Sequence, residues 1–332
     1  MAYTPDDTNI GVLGFLKASA AKAATVSLKY PTSQFNGKYI LWCGTSIPLG
    51  DFYKTYLPST ATVTQYPNDA CAQHGASCYN EAVSSSMIMA APSNGAGMFW
   101  SSYAWALTHT TVEKQYIIDN WATISTALTG STKPTTLSAS DQATILGASY
   151  QSRIIPYVDG TGGTAASLVV IDHGVNDYSN WNAAGYSDAN FIATPSNIYD
   201  KTTFIGACGF LINEILKVNP TVRIAFSGHF ENLYQPYVAQ AQTNVATLWN
   251  LPIFKLWEKT GWSYTIKMPN TQALYSTLPY SLYTSTAPIP DTTTDMPILR
   301  YNCADGVHPF KNGTDIPMQL LAELEGYYLT TI

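Results

Sequence analysis

The sequence predicts a three-layer α/β domain around a central parallel sheet of about five strands. Short β-branched runs alternate along the chain with long amphipathic segments, which implies repeated βαβ units. One run, "SLVVID", is continuously apolar, as expected of a strand covered on both faces. Length is the third observation: 332 residues, 46% of them hydrophobic, suffice for one large core or two modest ones.

Taken in order, residues 8–25 read as a short helix packing on the body or on a neighbour. The opening residues are acidic, and Lys17 and Lys22 interrupt the apolar part, so a secretory leader is not expected. Residues 1–36 are read as an N-terminal helical extension and 37–332 as the main domain. Strands are expected at 38–44, 77–80, 167–173, 221–227 and 252–257. Helices are expected near 110–128, 139–152, 200–218, 233–249 and 315–328. The third of these shows apolar residues at three-and-four spacing and stops before Pro220.

Two long segments interrupt this pattern. Residues 88–110 carry Phe99, Trp100, Tyr103 and Trp105, and residues 259–300 are rich in Pro, Thr and Tyr. Loops this long in a compact domain are usually functional. "DGTGGT", at 159–164, precedes a strand instead of following one, so it reads as a turn and not as a dinucleotide fingerprint.

Composition excludes several classes. Charged residues make up 11% of the chain, and net charge is −6 with no run of Lys or Arg, so a nucleic-acid partner is not expected. No stretch reaches the roughly 18 apolar residues of a membrane span. A surface of neutral polar and aromatic groups suits extracellular or virion-associated action and contact with carbohydrate. Of the 5 cysteines, Cys71 and Cys78 share one loop and are able to pair in an oxidising compartment. No C-x2-C spacing argues for zinc. Cys43 reads as small strand packing.

The first expected strand, "YILWC", ends at Gly44 and hands over to Thr45, Ser46 and Pro48. Ser46 either caps the helix that follows or is a nucleophile at the carboxyl edge of the sheet, where ligands of such folds bind. A serine nucleophile needs a base, an orienting acid and oxyanion donors. Among the five histidines only His308 has a carboxylate at close spacing, Asp305 in "DGVH"; the same string also suits a turn before a helix. "HGVND" follows the buried strand, and Asn176 either points its amide above the sheet or builds an Asx-turn with Asp177. "NEAVSS" leads from another strand into a loop of small residues, with backbone N–H groups near Ser85.

Together these four pieces resemble the blocks of the SGNH, or GDSL-type, hydrolase superfamily, with carbohydrate esterases as the nearest type. Gly44-Thr45-Ser46 is similar to the first block, Asn80 to Ser85 to the second, Gly174-Val175-Asn176-Asp177 to the third and Asp305-Gly306-Val307-His308 to the last. Thr45 replaces the usual acid of the first block, and serines replace the glycine of the second, so Ser84 and Ser85 compete for that donor role. The α/β-hydrolase alternative requires G-x-S-x-G, and Pro48 stands where its second glycine belongs.

The resemblance implies a flavodoxin-like α/β/α fold. It also implies Ser46 as nucleophile, His308 as base and Asp305 as orienting acid. The implied oxyanion donors are Ser46 N–H, Ser85 N–H and the Asn176 amide. The expected chemistry is acyl transfer to water without metal or cofactor. The expected substrate is an O-acetylated carbohydrate, with Phe99, Trp100 and Trp105 stacking on sugar faces or else packing within their loop. Short-chain lipid or aryl esters are the close alternative. A non-catalytic glycan-binding module, as in a phage tail, is the alternative from another class. An oligomer is compatible with all three.

Overall fold

A computed structural model describes residues 28–50, 65–83, 86–89, 135–136, 150–183, 185–230, 236–262, 267–268, 296–297 and 316–332. The helices expected at 8–25 and 110–128 lie outside these residues, as does most of the one expected at 139–152.

Five strands form one all-parallel sheet: β1 (Tyr39–Gly44), β2 (Ser77–Asn80), β3 (Leu168–Asp172), β4 (Arg223–Ser227) and β5 (Ile253–Phe254), in the order β2-β1-β3-β4-β5. This is the flavodoxin-like order, in which the direction of winding reverses between β1 and β3. Those two strands pair from Ile40↔Leu168 to Gly44↔Asp172, so their carboxyl ends are level. A separate two-stranded antiparallel pair, β6 (Lys267–Met268) with β7 (Met296–Pro297), falls within the long segment 259–300.

Alternation of side chains sends each strand into two cores. Leu41, Cys43, Val169, Ile171, Ile224 and Phe226 face one, and Ile40, Trp42, Leu168, Val170, Ala225 and Phe254 face the other. Both faces being apolar explains why the strands read as unbroken hydrophobic runs. The first face is covered by α5 (Val175–Ala183), α6 (Asp188–Ile192), α7 (Phe204–Val218) and α8 (Pro236–Trp249), the second by α2 (Tyr66–Gln73) and α9 (Ile316–Leu329). Short turns of helix also occur at α1 (Ser46–Leu49), α3 (Tyr150–Arg153) and α4 (Ile155–Val158).

Observed boundaries differ from the expected ones for local reasons. Helix α7 begins at Phe204, not 200, because Thr203 accepts a hydrogen bond from Gly206 N–H and so caps it. Strand β5 stops at Phe254, not 257. Its only partner among the described residues, β4, ends at Ser227, and Leu256–Glu258 turns into a 3-10 helix. Helices α2, α5 and α6 were not expected, since sequences such as "VNDYSNWNA" are too polar to show a clear apolar stripe.

Candidate active site

Ser46 and Asn176 start equivalent elements. Each lies just beyond a strand of the level pair β1–β3, on the first turn of the helix that follows. Both are half-buried, between neighbours that are almost fully enclosed. They therefore stand at the carboxyl edge of the sheet, at the point where its winding reverses, which is where ligands of such sheets bind.

Close packing explains the glycine before Ser46. A side chain at Gly44 would sit 2.5 Å from Pro48 Cγ and 2.9 Å from the Asp172 carbonyl oxygen. Only a bare backbone lets α1 fold back over the strand end. Thr45, at the N-cap position, makes no capping hydrogen bond through its side chain. Asn80, at the end of β2, donates from Nδ2 to the Pro48 carbonyl at 2.8 Å and so pins α1 from the other side.

The loop after β2 is tied to the same spot. Val83 N–H and Ser86 Oγ both donate to the Gly44 carbonyl, at 2.9 and 3.0 Å. Asn176 Nδ2 donates to the Ser86 carbonyl at 3.0 Å. Asp177 Oδ1 accepts from Ile88 N–H and Met89 N–H, each at 2.9 Å. The Asn176 amide thus ties the first turn of α5 to the loop after β2. Gly174, at φ 135°, lets this turn pass under α8, where a Cβ would meet Val238 Cγ1 at 2.9 Å.

Buried ionisable groups surround the strand ends. Burial pushes the Asp177 carboxyl up to about 7, against the pull of its backbone donors. His173 is enclosed, with Nδ1 4.0 Å from Asp177 Oδ2, and burial lowers its imidazole to about 3. A histidine held neutral and closed off in this way is ill suited to exchange protons with a substrate. His74 is structural: its ring nitrogens lie 2.6 Å from Ser33 Oγ and 2.7 Å from the Gly326 carbonyl. His229 follows β4, stacks on Phe230, and donates its N–H to Gln242 Oε1 at 3.0 Å. Gln242 Nε2 in turn donates to the His173 carbonyl at 2.7 Å, so one α8 residue clamps two strand-end turns. Cys43 is fully buried and donates weakly to the Val170 carbonyl, in keeping with a packing role.

On the opposite face lies a cluster that motif reading passed over. The Asp172 carboxyl accepts from Tyr66 Oη, with Trp42 and Ser227 beside it. Ser227 Oγ donates to Glu325 Oε1, on α9. Burial raises Asp172 to about 6 and Glu325 well above the usual carboxylate range. The available signal was an acid closing an apolar strand, "VVID", and Glu325 within the apolar run of the last helix.

Ser85, Phe99, Trp100, Trp105, Asp305 and His308 lie outside the described residues. Among the described residues, no group of three His, Cys, Asp or Glu side chains is arranged to hold a metal ion, and no helix is long and apolar enough to cross a membrane.

No protein-family model and no curated protein matches the chain. Solved structures with related folds do exist. A proposed GDSL-like lipase from Parabacteroides merdae aligns at 11% identity and TM-score 0.40, over 90% of this chain and 99% of its own. A possible lipase from Chitinophaga pinensis aligns at 14% identity and TM-score 0.40, over 86% and 96%. A third crystal structure reaches TM-score 0.46 at 15% identity, over 92% and 99%. Likeness this distant carries no inference about activity.

Proposed function

We propose that this chain is a serine ester hydrolase acting through an acyl-enzyme on Ser46, with an O-acetylated carbohydrate as substrate. The observation that supports the reading is the level pairing of β1 and β3, beyond whose ends the helices carrying Ser46 and Asn176 begin, at the winding reversal. Sequence adds His308 as base and Asp305 as its orienting acid. His308 takes the Ser46 proton, the ester carbonyl becomes a tetrahedral oxyanion, and His308 then protonates the leaving alcohol.

Ser46 N–H, Ser85 N–H and Asn176 Nδ2 are the oxyanion donors. Asn176 has two amide protons; one is engaged by the Ser86 carbonyl, and the other is assigned to the oxyanion. The residues flanking 84–85 are bonded to the Gly44 carbonyl, which supports Ser85 as a donor close to Ser46. Phe99, Trp100 and Trp105 are the proposed sugar-stacking platform. Action outside a cell or on a virion suits the neutral polar surface.

Kinetics on p-nitrophenyl acetate and p-nitrophenyl octanoate test the reading. Ser46→Ala should abolish turnover with circular dichroism unchanged; retention of more than about a tenth of wild-type activity removes Ser46 from the mechanism. Asn176→Ala should lower kcat by roughly 10²–10³ with little change in KM. Preference for the octanoate would assign lipid esters, and no turnover on either ester by the wild type would assign a binding module. Release of acetate from acetylated glycans checks the substrate class directly.

A further inference from the structure

We propose that Cys71 and Cys78 are a vicinal redox pair, a modification site at which thiol–disulfide exchange staples α2 to the edge strand β2. The inference stands apart from the hydrolase reading. Cys71 lies in the last turn of α2, and Cys78 is the second residue of β2. The chain between them reverses tightly: His74 N–H and Ala76 N–H both donate to the Cys71 carbonyl, at 2.9 and 3.1 Å.

That reversal brings both side chains to one face of the sheet. Cys71 belongs to the core that contains Ile40 and Trp42, and Cys78 packs against the same core from its rim. Both are free thiols, and burial first, with the neighbouring Cys78 thiol second, holds the Cys71 thiol well above its ordinary value. Two thiols turned to one face by a tight reversal have the arrangement that a disulfide across that reversal requires. Cys43 and Cys208 are buried elsewhere, in the core on the opposite face.

Exposure sets the order of events. Cys71 is fully enclosed, whereas Cys78 is partly open to solvent. The co-reactant is a low-molecular-weight disulfide. Cys78, as thiolate, attacks one sulfur of it and expels the first thiolate, leaving a mixed disulfide on Cys78. Cys71 then attacks the Cys78 sulfur and expels the second thiolate, its proton passing to that departing sulfur. Two protein thiols are oxidised to one disulfide, and the small disulfide is reduced to two thiols.

The consequence reaches beyond the staple. Among the described residues strand β2, four residues long, pairs only with β1, and its last residue, Asn80, pins α1. Closing the ring 71–78 restrains this edge at its root.

Peptide mapping of the full chain after incubation with oxidised glutathione and alkylation with iodoacetamide tests the proposal. The tryptic peptide from Thr55 to Lys114 contains both cysteines and no other. In the wild type it should lose two hydrogens and resist alkylation, and reductant should reverse both changes. Cys71→Ser should keep a glutathione adduct on Cys78, since nothing resolves it. Cys78→Ser should be modified at Cys71 at least about tenfold more slowly, because a free disulfide has no access to an enclosed thiol. Recovery of the wild-type peptide with both cysteines alkylated, or with a lasting glutathione adduct, overturns the proposal without any variant. Rapid adduct formation on Cys71 in Cys78→Ser overturns the assigned order.

Discussion

The two faces of the sheet each hold acids away from water but supply them with different donors. On the α5 side, Asp177 is met by backbone: two consecutive N–H groups of the loop after β2 donate to one carboxylate oxygen. On the α9 side, Asp172 and Glu325 are met by the hydroxyls of Tyr66 and Ser227. Backbone donors cannot leave without moving the chain, so Asp177 fixes a loop. Hydroxyls rotate and serve either protonation state, so the second cluster joins helices to the sheet while its acids stay able to hold protons. The first face therefore shapes the candidate site, and the second supports it from beneath.

Removing the backbone anchor should have the largest effect. Asp177→Ala leaves two buried N–H groups without an acceptor, which should cost about 2–5 kcal/mol in urea unfolding and loosen the 86–89 segment. Asp177→Asn keeps an oxygen in place and should cost less. If the two variants unfold at the same urea concentration, capture of the backbone is not what this residue contributes.

Titration separates the faces next. The Asp172 carboxyl is raised from 3.8 to about 6, so over that window the folded state holds a proton that the unfolded chain releases. Its contribution to stability is therefore present at low pH and is lost as pH rises through about 6. Asp177 adds a loss of the same sign, ending near 7, while His173, lowered to about 3, acts in the opposite direction below its usual value. Asp172→Asn removes only the first of these and keeps an acceptor for Tyr66. The variant should gain stability relative to wild type between pH 4 and pH 7, by up to about 3 kcal/mol. Parallel stability curves for the two proteins would mean that the Asp172 carboxyl titrates alike in both states.

The smallest expected effect is that of Ser227→Ala. Loss of one hydroxyl donor to a buried acid should cost about 1–2 kcal/mol, measured by denaturant unfolding. A cost above that of Asp177→Ala would reverse the ranking of the two faces.

Much of the frame was legible in the chain. The runs at 38–44, 167–173 and 221–227 became β1, β3 and β4 with ends shifted by no more than two residues, because a strand buried on both faces must be largely hydrophobic, while the partly exposed β2 matched 77–80 at the edge. Helices α7, α8 and α9 were legible for a related reason: long apolar stripes survive small boundary errors. The polar helices α2, α5 and α6 were not legible, since their stability comes from what they pack against.

Sequence by itself determined the fold class, the order of the strand-end motifs and the residue types that serine chemistry needs, all of which follow from local pattern. Tertiary structure decided the rest. The register Gly44↔Asp172 levels the strand ends that lead into Ser46 and Asn176, although 130 positions separate these two along the chain. Burial decided which histidine stays neutral and enclosed. Packing of α9 on the sheet decided that Glu325 meets Ser227 across the core. None of these is written in a window of neighbouring residues, because burial and long-range hydrogen bonds arise only once distant segments share one interior.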